Sequence, residues 1–130
     1  MRFLLDTHVL LWVLADPRRL PQPVFDLLET TGNEILFSAA SIWEIAIKAQ
    51  LLRAEFGVDA ETIIDAARQT GFTELAVSAQ HAASVARLPL HHKDPFDRML
   101  ISQAITEPAR LLTADRTLSA YSKDLVALIE

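Results

Sequence analysis

The sequence predicts an α/β fold, a three-layer α/β/α sandwich built on a mostly parallel central sheet. Three observations predict it. Short apolar runs recur along the chain, each too short for a helix and several apolar at every position, as in Phe3-Leu4-Leu5 and Ile35-Leu36-Phe37. Longer segments with helical character lie between most of them. Proline, glycine and aspartate mark many of the joints. Strands apolar on both faces belong to sheets covered on both sides, and their alternation with helices favours parallel pairing.

Taken in order, residues 1–6 read as a buried strand, followed by a helix through residues 9–14 that Asp16-Pro17 stops, since proline disfavours helix at the residue before it. Residues 21–31 form a second helix, with Pro23 in its first turn and Gly32 after its end. A strand at 34–37 leads into a long helix at 39–52. Residues 60–70 are a helix closed by Gly71, 74–77 a strand, 79–87 a short helix, 95–106 a helix, 110–113 a strand and 125–129 a last short strand. No repeat, linker or low-complexity segment divides the chain, so residues 1–130 are expected to form a single domain.

The length is enough to bury a sizeable core. Hydrophobic residues at 51% and charged residues at 22% give an ordinary globular balance with no case for disorder. No apolar stretch approaches the roughly 18 residues of a membrane span, and the N-terminus lacks the long apolar region of an export signal. The absence of cysteine removes disulfides and thiolate zinc sites. A cytoplasmic protein is the expectation. A net charge of −5 argues against a surface that coats nucleic-acid phosphates. That argument reverses locally where clustered carboxylates take up divalent cations.

Four acids stand where an apolar segment meets a turn or a helix: Asp6, Glu44, Asp97 and Asp115. Carboxylates near a core are costly unless paired or bound to metal, so four of them suggest one shared cation site. Each also has a structural reading. Asp6, like its neighbour Thr7, fits an N-cap for the first helix. Glu44 completes a capping-box pattern from Ser41 and stands four residues before Lys48, the spacing of a helical ion pair. The helix of residues 39–52 is apolar nearly all round, with Ile42, Ile45, Ala46 and Ala49 on one face and Trp43, Ile47 and Leu51 opposite, so it is expected to be buried and to place Glu44 in crowded surroundings. Asp94 before Pro95 fits an N-cap, which leaves Asp97 at the head of a stripe with Leu100, Ile101 and Ala104. Asp115 fits a cap for a turn through residues 116–118, the better reading for that residue taken singly. His8, His81, His91 and His92 lack metal-ligand spacing. There is no glycine-rich phosphate loop and no nucleophile elbow.

Four segments together carry a family resemblance: Leu4-Leu5-Asp6-Thr7-His8, Ser41-Ile42-Trp43-Glu44-Ile45-Ala46-Ile47-Lys48, Asp94-Pro95-Phe96-Asp97-Arg98-Met99-Leu100-Ile101 and Leu111-Leu112-Thr113-Ala114-Asp115. Each is weak alone. In this order, spanning nearly the whole chain, they resemble PIN-domain proteins and, among these, the VapC-type toxins of prokaryotic toxin–antitoxin pairs. The resemblance implies an acidic pocket binding Mg²⁺ or Mn²⁺ through Asp6, Glu44, Asp97 and the more variable Asp115. It further implies metal-dependent endoribonuclease activity, a homodimer and inhibition by a cognate antitoxin. Thr7, Ser41 and Thr113 stand near the acids as candidate donors to carboxylate or water. Lys48, Lys93, Arg98 and Arg116 are candidate contacts to RNA phosphates, although for each a solvated surface charge is the better single reading. Two rivals remain from the sequence: a phosphotransfer receiver-type domain, disfavoured by the lack of a second acid beside Asp6, and a catalytically silent binding module.

Overall fold

The computed structural model describes residues 1–52, 57–90, 93–121 and 126–128. Among these residues, five strands pair in parallel: β1 (Arg2–Leu5), β2 (Glu34–Ser38), β3 (Thr73–Leu75), β4 (Arg110–Thr113) and β5 (Val126–Leu128), in the spatial order β3-β2-β1-β4-β5. The chain builds outward from β1 to one edge, then returns to its other side with β4. The carboxyl ends of β1 and β4 therefore flank the point where strand order reverses, the crevice in which open parallel sheets gather ligands.

Among the described residues, six helices cover the sheet: α1 (Thr7–Ala15), α2 (Gln22–Glu29), α3 (Ala39–Leu52), α4 (Ala60–Thr70), α5 (Ala79–Ser84) and α6 (Pro95–Thr106), with short 3₁₀ turns at Pro17–Arg19, Val85–Arg87 and Arg116–Ala120. Side-chain alternation along the strands divides the interior into two cores. Phe3, Leu5, Ile35, Phe37 and Leu112 face Val9, Leu10, Val24, Ile45 and Ile63 of α1 to α4. Leu4, Leu36 and Leu111 face Leu100, Ile101 and Ala104 of α6, together with Leu118. The predicted three-layer sandwich is the observed one.

Several expected boundaries move for local reasons. The second helix ends at Glu29 and not at residue 31, because the Thr30 hydroxyl bonds back to the Asp26 carbonyl and the Asn33 amide takes the Leu27 carbonyl. The strand expected at 74–77 is Thr73–Leu75: its partner β2 reaches Ser38, paired with Leu75, and the next residue opens α3. The last strand is Val126–Leu128, and positions 125 and 129 lie outside the described residues, as do His91 and His92. Burial of α3 on nearly all sides is a correction. Ile45 is buried, yet Trp43 is 64% exposed and Leu51 75%, because the helix rests on the sheet by one side only. Among the described residues, no helix is long and apolar enough to cross a membrane.

Candidate active site

The register of the sheet assembles the first part of the site. Leu5 lies beside Phe37 on one side and Leu112 on the other, so Asp6 stands between Ser38 and Thr113 at the carboxyl edge. Strand alternation turns these three polar positions toward the face that α6 covers, and all three are buried. Ser38 donates to Gln103 Oε1 of α6 at 2.5 Å and accepts from the backbone of Ala40. Gln103, fully buried, also donates to the Ala76 carbonyl. Asp6 is the N-cap of α1: one carboxylate oxygen accepts the Val9 N–H at 2.8 Å and the other the hydroxyl of Thr113. That hydroxyl in turn accepts the Asp115 N–H at 3.0 Å. Burial pushes the Asp6 carboxyl up from its ordinary 3.8. The bonds from Thr113 and Val9 and the nearness of His8 oppose the rise, and Asp115 adds to it.

Asp6 and Asp115 line one cavity of about 250 Å³, together with His8, Trp12 and Ala114. Asp115 also caps the turn after β4, accepting from the Thr117 amide at 2.9 Å and its hydroxyl at 2.7 Å. The structural role expected for Asp115 taken singly is therefore present alongside its place in the cavity.

Glu44 stands on α3, which a different contact ties to α1. Thr7 at the start of α1 donates to Ser41 of α3 at 3.0 Å in a buried bond, and Glu44 follows one turn along. The capping box expected from Ser41 to Glu44 does not form, since α3 already begins at Ala39 and Ser41 lies inside it. Glu44, only 6% exposed, is paired with Lys48 at 2.8 Å. Asp97 occupies the first turn of α6, half-buried, with its N–H held by the true N-cap, Asp94, at 3.1 Å. An edge-on contact between Trp43 and Phe96, 5.2 Å between ring centres, brings the neighbours of Glu44 and Asp97 together. Among the described residues, no three His, Cys, Asp or Glu side chains are grouped as a metal site. What the structure displays is Asp6 and Asp115 about one cavity, with Glu44 and Asp97 on adjoining elements.

Residues 3–124 match the PIN domain family. The chain belongs to the PIN-domain family. Ribonuclease VapC22 of Mycobacterium tuberculosis (strain ATCC 25618 / H37Rv) is 30% identical over 122 residues, 91% of this chain and 90% of that protein. A chain of the VapBC2 complex from Rickettsia felis, bound to a DNA fragment from their promoter, superposes with a TM-score of 0.75 at 16% identity over 100% of both chains. A domain of a functionally unknown protein from Methanocaldococcus jannaschii DSM 2661 gives 0.58 at 15% identity, over 99% of this chain and 91% of that one. These two superpositions speak for the PIN fold. The sequence relative agrees with the VapC-type resemblance.

The basic residues of this PIN domain divide by environment. Lys93 and Arg116 are exposed. Lys48 is engaged by Glu44. Arg98 donates to the carbonyls of Val85 and Pro89, which ties α6 to the turn before it. Sequence reasoning overlooked the cavity wall formed by His8 and Trp12, although the four residues that separate them put both on one face of α1. It also passed over His81, which is buried. Its ring accepts the Ser78 N–H at Nδ1, and Nε2 lies 2.8 Å from Glu107.

Proposed function

We propose that this PIN domain is a divalent-metal-dependent endoribonuclease, the toxin of a toxin–antitoxin pair acting in the cytoplasm. The observation that carries the reading is the cavity at the strand-order reversal, where buried Asp6 faces the same space as Asp115. Ionising Asp6 there is opposed by desolvation and by the second carboxylate, and a cation in the cavity would relieve both. The carboxylates of Asp6 and Asp115 that face this space are oxygen donors, the kind that Mg²⁺ and Mn²⁺ prefer, so these residues fit such an ion. Asp6, Asp97, Glu44 and Asp115 would hold it, Glu44 exchanging its bond to Lys48 for the metal. A bound divalent ion supplies a water of lowered pKa and neutralises charge on the phosphate under attack.

The chain's own groups prepare the site. Thr113 and the Val9 N–H fix both oxygens of Asp6, leaving the remaining lone pairs directed by a rigid frame. Thr7 and Ser41 lock α1 against α3 and so set the position of Glu44. Lys93 and Arg116 offer charge to flanking phosphates. Single-stranded or looped RNA is the expected substrate, because unpaired bases expose their edges and faces.

A cognate antitoxin is the expected inhibitor. An arginine or lysine from it, placed among these carboxylates, would compete with the metal by charge. Exposed Trp43 and Leu51 on α3 provide apolar surface for a homodimer. The deciding experiment is cleavage of single-stranded RNA with Mg²⁺ or Mn²⁺, beside Asp6→Asn purified in parallel. Cleavage that stops in EDTA and is absent from the variant supports the reading. Equal activity of both preparations, or activity undiminished by chelator, refutes it. Metal binding without cleavage identifies a silent module. A monomer by light scattering at micromolar concentration removes the homodimer, and full activity in a saturated complex with the neighbouring gene product removes the antitoxin.

A further inference from the structure

The cavity has one acidic wall and one aromatic wall, and only the first is used by phosphodiester chemistry. His8 and Trp12 project from the same face of α1, their ring centres 6.2 Å apart and tilted by 46°, and both line the cavity that Asp6 and Asp115 share. The guanidinium of Arg19, brought back by the 3₁₀ turn of Pro17–Arg19, lies 5.7 Å from the centre of the Trp12 ring. Arg19 is itself steered by Asp16 at 3.1 Å. Trp12 packs partly against the core and leaves the rest of its surface half-exposed, while His8 is exposed.

We infer that His8 and Trp12, backed by Arg19, form a nucleobase subsite that seats one unpaired base of the RNA next to the scissile phosphate. The chemistry favours this occupant. Every base has a flat π-face that stacks on an aromatic ring, with a cation adding to the attraction. The neighbouring carboxylates repel bare phosphate, so the backbone is admitted only together with metal, whereas a neutral base pays no such penalty on the aromatic side. The subsite fixes the register of the strand, placing one phosphate over the acids, and it favours bases that stack strongly over particular hydrogen-bonding edges. The inference rests on the ribonuclease reading for the identity of its ligand.

The test uses short single-stranded oligoribonucleotides, intact or with one abasic position at each step along the strand. Binding is read in Ca²⁺, with no cleavage, and cleavage is read separately in Mg²⁺. The native protein is expected to lose about tenfold or more in affinity for one abasic position beside the cleaved bond. Trp12→Ala should bind the intact strand that much more weakly and lose its sensitivity to the abasic position, while Trp12→Phe keeps both within about threefold. Since Trp12 also touches the core, the abasic series on native protein decides the matter even if Trp12→Ala folds poorly. Cleavage with equal affinity for every abasic strand overturns the subsite and leaves the ribonuclease standing. Trp12-dependent, base-dependent binding without any cleavage supports the subsite and removes the ribonuclease. Loss of affinity for a protein partner in Trp12→Phe, with RNA binding unmoved by abasic substitution, assigns the wall to that partner and overturns the inference.

Discussion

Replacing Thr113 by valine probes the frame around Asp6 with little change of shape. The hydroxyl is fully buried, donates to the Asp6 carboxylate and accepts the Asp115 N–H at 3.0 Å. A hydrogen bond to a charged group contributes about 1.5–3 kcal/mol, and a stranded, partly buried N–H costs about 1 kcal/mol. Thr113→Val should therefore lose about 2–4 kcal/mol at neutral pH, and for an m-value of about 2 kcal/mol/M the urea midpoint should fall by roughly 1–2 M. The loss should depend on pH. Burial already raises Asp6 above 3.8 in the folded chain, and the Thr113 bond restrains that rise. Folded protein then holds this proton to higher pH than unfolded chain does, so its stability declines as pH climbs through that interval and recovers on acidification. Removing the hydroxyl extends the interval upward. The deficit of the variant is accordingly largest at neutral pH and shrinks as pH falls toward 3.8, where only the smaller bond to a neutral acid is missing. Urea titrations of both proteins in chelator at several pH values measure this. A midpoint shift below roughly 0.3 M at pH 7, or a deficit that does not shrink with acid, refutes the account of Asp6.

Three further outcomes follow from the same geometry. Asp94→Ala should cost about 1 kcal/mol by thermal melting, since it removes the cap on Phe96 and Asp97, and should leave metal affinity intact, whereas Asp97→Asn should weaken metal binding and preserve the melting temperature; the reverse pattern by calorimetry exchanges their roles. Asp6→Asn keeps an N-cap and removes a buried charge, so in chelator it should melt higher than native protein at pH 7, with the advantage fading as pH falls; an advantage constant with pH contradicts this. Gln103→Leu strands the Ser38 hydroxyl and the Ala76 carbonyl and should lose about 1–3 kcal/mol in urea; a loss under about 0.5 kcal/mol shows that water replaces the amide.

What the sequence reveals of this molecule is what is decided locally. The helix 60–70 ends where expected because Gly71 takes the left-handed conformation at φ 95°, and the helix 95–106 begins where expected because Asp94 caps it before Pro95. The placing of Asp6 and Asp115 about one cavity is legible because both follow strands, and strand ends are where a parallel sheet places ligands. The extent of β3 depends on where β2 stops, which its own residues do not record. The exposure of Trp43 and Leu51 depends on which neighbours reach α3, and an apolar pattern on all sides misleads. The roles of Ser38, Gln103 and His81 need partners 65 and 26 residues away, so polar residues unremarkable in the sequence become buried fixtures only in the fold.

The placement of β1 at the middle of the sheet has a consequence for biosynthesis. Of these five strands, the earliest to leave the ribosome is the one that needs neighbours on both sides, and its second neighbour, β4, begins at Arg110. Asp6 waits across 107 positions for the Thr113 hydroxyl and for Asp115 beyond it. Loop closure over such a span comes late. The pocket therefore does not exist on a nascent chain until that region has emerged, which withholds any hydrolytic activity from the partly made protein while it is still tethered beside ribosomal and messenger RNA.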